Sequence, residues 1–178
     1  TSVDVMALPG VKRMALRPIC CRINTDEGIS GYGEAGIAIV TGARGAFELI
    51  KDYSEMILGM NPLHNDVIWE TLYKESFWAQ GNGAVMMAAI SAIDTALWDI
   101  KGKYYNAPVH ELLGGKHRDK LRSYISQLQF GYQHKTFSNP GSIEAYRASY
   151  ERAMEEGYDC IKVNFFEKDG NNHEMDHT

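Results

Sequence analysis

The stretch GYDCIKVNFF, Gly157 to Phe166, sets an amine and an amide two residues apart inside an otherwise apolar run. Read as a strand, it puts Cys160, Lys162, Asn164 and Phe166 on one face and Ile161, Val163 and Phe165 on the other. Burying an ammonium is costly unless it is paired, and a lysine so placed is often a catalytic or substrate-binding group. The plainer alternative is a strand-end lysine that reaches solvent. A second stretch, HEMDH from His173 to His177, has the spacing of a zinc-protease helix, two histidines one turn apart beside a glutamate base. That chemistry needs a buried helix and a further ligand. This copy follows EKDGNN and carries no apolar stripe, so a polar loop is expected and no metal ligand is assigned to it. The glycines of GISGYG open no helix and do not form a dinucleotide fingerprint.

The elements that must position these groups follow from periodicity. Val3 to Leu8 and Ile19 to Asn24 read as strands joined by PGVKRMALRP, which carries Lys12, Arg13 and Arg17. Asp26-Glu27-Gly28 is a hairpin turn signal, and Gly31 and Gly33 interrupt the returning strand as bulges or close backbone approaches would. A three-stranded meander results. Phe47, Ile50, Tyr53 and Ile57 recur at helical steps between Gly42 and Leu58, and a second helical pattern covers Asp66 to Ser76. From Asn82, read as N-cap, to Gly102, read as C-cap, Met86, Ile90, Ile93, Leu97 and Ile100 line one helix face. Val85, Ala89, Ala92 and Ala96 form a neighbouring small-residue face, so this helix is enclosed on most sides and its Asp94 and Asp99 are expected to be hydrogen-bonded structurally. Leu121 to Phe130 then reads as a strand, and Ser142 to Glu156 as a helix with Ile143, Tyr146, Tyr150 and Met154 inward. Gly157 closes that helix before the strand at Cys160, so the whole is a parallel βαβ unit. Two parallel strands and one helix cannot cover both faces of a sheet, so the unit reads as the opening of a larger α/β architecture.

A net charge of −5 argues against a nucleic-acid or anionic-membrane partner. No apolar run approaches a membrane span and no secretory signal is visible. Three cysteines, two of them adjacent, make an odd count without metal-ligand spacing, which fits reduced thiols and a cytoplasmic location.

Taken in order, TDEGISGYGEA, AAISAIDTALWDIKGK, APVHELLGG with Arg122 and Tyr124, and GYDCIKVN resemble the mandelate racemase and muconate lactonizing branch of the enolase superfamily over roughly Val3 to Asn164. The resemblance implies an α+β capping domain, a three-stranded meander plus a helical bundle over residues 1–119. The first βαβ unit of a modified TIM barrel follows over 120–178. It also implies abstraction of a proton beside a carboxylate with Mg2+ as cofactor, the magnesium ligands lying on later barrel strands that this chain does not include. Lys162 and Asn164 would point into the barrel mouth. Many members carry a second lysine as base where this chain has Asn164, and an amide does not serve as a general base, so Lys162 is left to bind the substrate carboxylate or move a proton. That departure is more familiar among acid-sugar dehydratases.

In the resembling family two capping loops fold over the barrel. One supplies Lys12, Arg13 and Arg17, suited to an acid substrate. The other is FWAQGNG, with Trp78 favoured over Gln80 for contact; Gln127 and Gln129, near the end of the first barrel strand, could hydrogen-bond hydroxyls. The expected catalytic residues are thus Lys162 and Asn164, and the expected substrate contacts Trp78, Arg13 and Gln129. The expected partner is a small-molecule sugar acid, with no nucleic acid and no membrane, in a homo-oligomer. Racemases, epimerases and cycloisomerases of the same superfamily, or a non-catalytic protein retaining the fold, are the alternatives. These residues alone are not expected to turn substrate over.

Overall fold

The computed structural model describes residues 2–9, 18–37, 41–81, 83–126, 128, 132 and 142–163. The strands β1 (Ser2–Ala7), β2 (Ile19–Asn24) and β3 (Ser30–Ala35) form an antiparallel sheet in that order. Strand alternation turns Val3 and Val5, Ile19, Cys21 and Ile23, and Gly31, Gly33 and Ala35 to one face, where the register stacks Val5, Cys21 and Gly33 in one row. The β2–β3 turn is the one the sequence signals. Gly28 takes φ +79°, Thr25 N donates to Ile29 O at 2.9 Å, and Thr25 Oγ1 accepts from Ile29 N at 3.1 Å.

Helices cover that face. They are α1 (Ala43–Ile57), α2 (Asn65–Lys74), α3 (Ala84–Tyr104) and the short α4 (Val109–Leu112). The α1 stripe buries Ala46, Ile50, Tyr53 and Ile57, and α1 stops where Gly59 turns left-handed at φ +80°. Nearly all sides of α3 are covered: Ala89, Ile90, Ala92, Ile93, Ala96, Leu97 and Ile100 are buried. Each isoleucine enclosed there contributes about 1.5–3 kcal/mol of burial free energy. The small residues face β3. A Cβ at Gly31 would stand 2.0 Å from Ala96 O, and one at Gly33 would stand 1.9 Å from Ala92 O. Of the two readings of these glycines, close approach is the one that holds, because β2 and β3 pair one-to-one along all six residues without a bulge.

Both ends of α3 differ from expectation. Asn82 lies outside the described residues, and Gly83 is the N-cap. At the other end the helix continues past Gly102 to Tyr104. Gly102 is buried against the returning chain, a Cβ there lying 3.0 Å from Ala107 O, and the left-handed residue beyond the helix is Asn106 at φ 48°. Asp99 is hydrogen-bonded structurally as expected. Its Oδ2 accepts from Tyr32 N at 2.9 Å and from Lys103 Nζ at 2.6 Å, so a helix carboxylate satisfies an outward N–H of the edge strand. Asp94 is half-buried, and burial, followed by the like charge of Asp66, raises its pKa.

The chain divides into two compact units, Thr1–His117 and Arg118–Thr178. In the second, β4 (Ile125–Ser126) and β5 (Ile161–Lys162) pair in parallel with α5 (Ile143–Glu155) between them, the expected βαβ connection. Among the described residues of the stretch Leu121 to Phe130, the paired part is Ile125–Ser126; Leu121 and Tyr124 are exposed. The inward face of α5 is also corrected. Ile143, Tyr150 and Met154 are exposed, while Ser149 and Ala153 are buried. Ser149 tolerates burial because its Oγ accepts from Tyr132 N at 3.2 Å and donates to Ala145 O at 2.9 Å. Ser142 caps the helix as its position predicts, accepting from Ala145 N at 3.2 Å. No described helix is long and apolar enough to cross a membrane.

Candidate active site

The two capping loops start from one end of the first unit. Leu8 N donates to Pro18 O at 2.9 Å just beyond the β1–β2 ladder, so the connection carrying Lys12, Arg13 and Arg17 leaves and returns at one point. The same edge holds the C-terminal end of β3, because Ala7 pairs with Ile19 and Ile19 with Ala35. Gly31 faces Ala96 and Gly33 faces Ala92, so α3 runs antiparallel to β3 and its N-terminus lies at the Ala35 end. The 3-10 turn Phe77–Gly81 leads directly into that N-terminus. The β2–β3 turn lies at the opposite end, where Thr25, Asp26, Met60, Pro62, Ile100 and Tyr104 line a cavity of about 390 Å³.

Within the 3-10 turn, Ala79 is fully buried, while Phe77 and Trp78 stand 74% and 78% exposed. Their rings meet edge to face at 5.1 Å. Two large aromatics this exposed contribute little to the core. Gln80, the other candidate in this loop, donates its amide to Lys74 O at 2.9 Å, an internal bond that closes the loop on the end of α2. Sequence reasoning did not single out the group beneath the turn: Tyr53 is an inward residue of α1, and its hydroxyl lies 3.1 Å from Ser76 Oγ and 3.8 Å from Met86 Sδ. The only signal was a tyrosine, with a polar tip to satisfy, on an apolar helix stripe.

In the second unit Lys162 pairs with Ser126, both exposed, while the adjoining pair Ile125 and Ile161 is partly buried on the other face of the two-stranded sheet. The entry to the pair is tied by Arg122. Its Nε bonds both Asp159 carboxylate oxygens, at 3.0 and 3.1 Å, and Ile125 N donates to Cys160 O at 3.1 Å. Arg122 holds the Asp159 carboxyl below the usual aspartate range. Asn164, Arg13 and Gln129 lie outside the described residues, as do Lys12, Arg17, Gln127 and the HEMDH stretch. Of the five expected site residues, only Trp78, in the first unit, and Lys162, in the second, are among the described residues.

Cys20 and Cys21 are both held toward the neutral thiol. Cys21 is enclosed and donates to Ala92 O at 3.3 Å, and burial pushes its thiol up to about 12. Burial, then the neighbouring Glu34, also raises Cys20. Among the described residues no group of three or more His, Cys, Asp or Glu side chains is gathered to hold a metal ion.

Residues 5–114 match the N-terminal domain of the mandelate racemase / muconate lactonizing enzyme family. A D-galactonate dehydratase of Variovorax paradoxus is 42% identical over 113 residues, 63% of this chain and 28% of that protein. A D-galactonate dehydratase of Xanthomonas campestris pv. campestris is 36% identical over 151 residues, 84% of this chain and 35% of the relative. The crystal structure of a member of the enolase superfamily from Salmonella Typhimurium superposes with a TM-score of 0.87 at 44% identity, covering 98% of this chain and 44% of that one. The chain thus spans about a third of the length of the curated relatives it matches. It belongs to the mandelate racemase / muconate lactonizing enzyme family of the enolase superfamily, with that family's capping domain followed by a βαβ unit.

Proposed function

We propose that the intact protein dehydrates a sugar acid. In that reaction the proton on the carbon beside the carboxylate is removed, the hydroxyl on the next carbon leaves as water, and the resulting enol tautomerises to a 2-keto-3-deoxy acid. The observation that carries this reading is the 36% identity over 151 residues to a D-galactonate dehydratase, a match that covers 84% of the chain. The capping domain, residues 1–119, is in keeping with it, since the Phe77–Gly81 turn with its exposed Trp78 and the ends of the β1–β2 connection lie at the same end of that domain. Magnesium is the ion this chemistry calls for, because the α-proton of a carboxylate is very weakly acidic and the developing charge needs a cation. The described residues do not assemble a site for it, so the roles assigned are those of this chain's own side chains.

In this reading Lys162 approaches the substrate carboxylate or moves a proton, and Asn164 orients the substrate or a water. Arg13 adds charge complementary to the acid, and Trp78 and Gln129 contact the hydroxylated end. In this reading the main base comes from elsewhere in the protein, because the amide of Asn164 does not serve as one. The test is incubation of the intact protein with Mg2+ and a library of sugar acids that includes D-galactonate, in deuterated water. A 2-keto-3-deoxy product trapped through its carbonyl is the expected result. Deuterium exchange at the α-carbon without that product would replace dehydration by racemisation or epimerisation. Absence of both across the library would leave a non-catalytic protein that keeps the fold.

A further inference from the structure

We propose that Tyr53 is a positioning residue that staples both ends of the Trp78 loop and so sets how tightly the protein holds its substrate. The proposal rests on the sugar-acid reading for its functional half. The phenol of Tyr53 is only 2% exposed, yet its oxygen meets one group on each side of the 3-10 turn: Ser76, immediately before it, and Met86, in the first turn of the helix that follows. A phenol has one proton. Given to Met86 Sδ, it leaves the oxygen free to accept from the Ser76 hydroxyl, so one buried side chain on α1 satisfies itself only when both ends of the loop are in place.

Besides the Gln80 bond to Lys74 O, the loop is anchored by the fully buried Ala79, whose N–H donates to Ser76 O at 2.7 Å. Ser76 is therefore held by Tyr53 on its side chain and by Ala79 on its carbonyl. Phe77 and Trp78, between these two points, cannot swing independently of the staple. Removing the Tyr53 hydroxyl leaves Ser76 Oγ without that partner and frees the first anchor, while the phenyl ring still fills the core.

The experiment compares Tyr53→Phe, Ser76→Ala and the double variant in the intact protein by two readouts. The first is hydrogen exchange of the amides of residues 77–81. The second is the KM and kcat of sugar-acid turnover. Either single variant should speed exchange at Ala79 by about tenfold and raise KM roughly 3–10-fold with kcat within twofold, and the double variant should do no more than either alone. Unchanged exchange in Tyr53→Phe overturns the staple, as do additive effects of the two substitutions. Faster exchange with unchanged KM overturns the link between the loop and substrate. Should the unsubstituted protein turn over no sugar acid, the dehydratase reading fails by itself, and the exchange arm still decides whether Tyr53 holds the loop.

Discussion

Gly33 lies so close to Ala92 that a Cβ on the glycine would stand 1.9 Å from the alanine carbonyl oxygen. Backbone rather than a flexible side chain occupies that space, and neither β3 nor α3 can retreat without opening the core between them. Gly33→Ala should therefore destabilise the protein by about 3 kcal/mol or more. Gly28→Ala is the control. Gly28 has open space around it but a φ of +79°, so only the conformational cost applies, about 1 kcal/mol. Urea unfolding of both variants checks this; equal losses would mean that packing at the strand–helix contact is not the reason for glycine at Gly33.

Asp4 and Asp94 should bend the stability profile in opposite directions. Hydrogen bonds from Arg22 (2.6 and 3.0 Å) and Asn24 (3.0 Å) lower the Asp4 pKa. Its contribution is thus present above the unfolded aspartate pKa and lost as pH falls through the folded value. Burial, and then the nearby Asp66, raises the Asp94 pKa, so the folded protein binds that proton more tightly and is penalised as pH rises through the window above the unfolded value. Asp4→Asn should lower stability at pH 7, with the difference from wild type closing in acid. Asp94→Asn should raise stability at pH 7 by about 0.5 kcal/mol, a gain that disappears below the ordinary aspartate range. Thermal unfolding from pH 3 to 8 measures both, and a stabilising Asp4→Asn or a destabilising Asp94→Asn at pH 7 would contradict the assigned causes.

How far such features could be read in advance depended on whether one local cause decided them. The meander, its Asp26-Glu27-Gly28 turn and the enclosed α3 follow from period, turn chemistry and small residues, and each kind of signal agrees with the others. The inward face of α5 did not follow. Two stripes compete on that helix, and the larger apolar residues Ile143, Tyr150 and Met154 are on the exposed one, while Ser149 is buried because two backbone partners satisfy its hydroxyl. A sequence period does not record such partners. Gly102 misled for a related reason: as a residue without a side chain it fits a helix end, but its reason for being glycine is the close return of Ala107. Trp78 was singled out by the likeness of FWAQGNG to a capping loop of the family, whereas the Tyr53 contacts with Ser76 and Met86 needed the third dimension.

Trp78 supplies a cleaner functional test because it is 78% exposed. Trp78→Ala should change unfolding stability by no more than about 0.5 kcal/mol. If its ring lies on the substrate, KM for the sugar acid should rise about tenfold, which corresponds to ~1.4 kcal/mol of lost binding. Steady-state kinetics beside a thermal melt measures the two quantities. A KM equal to that of the unsubstituted protein would exclude the ring from the ligand and return the exposed pair with Phe77 to a structural role.

Lys162 can act in two ways, and two substitutions separate them. Its side chain is exposed on β5 opposite Ser126, so neither Lys162→Met nor Lys162→Arg should unfold the protein. If the ammonium holds the substrate carboxylate as a fixed charge, arginine keeps that charge, and Lys162→Arg should recover much of the KM that Lys162→Met loses. If instead the amine carries a proton during the reaction, arginine fails, because a guanidinium does not deprotonate in proteins. Both variants should then lose about 10²–10⁴-fold in kcat. A profile of kcat against pH distinguishes the cases further, since only the proton-transfer role adds an ionisation that vanishes in both variants. Full activity in Lys162→Met would remove the residue from the mechanism altogether and, with it, the reason for an amine in the middle of GYDCIKVNFF.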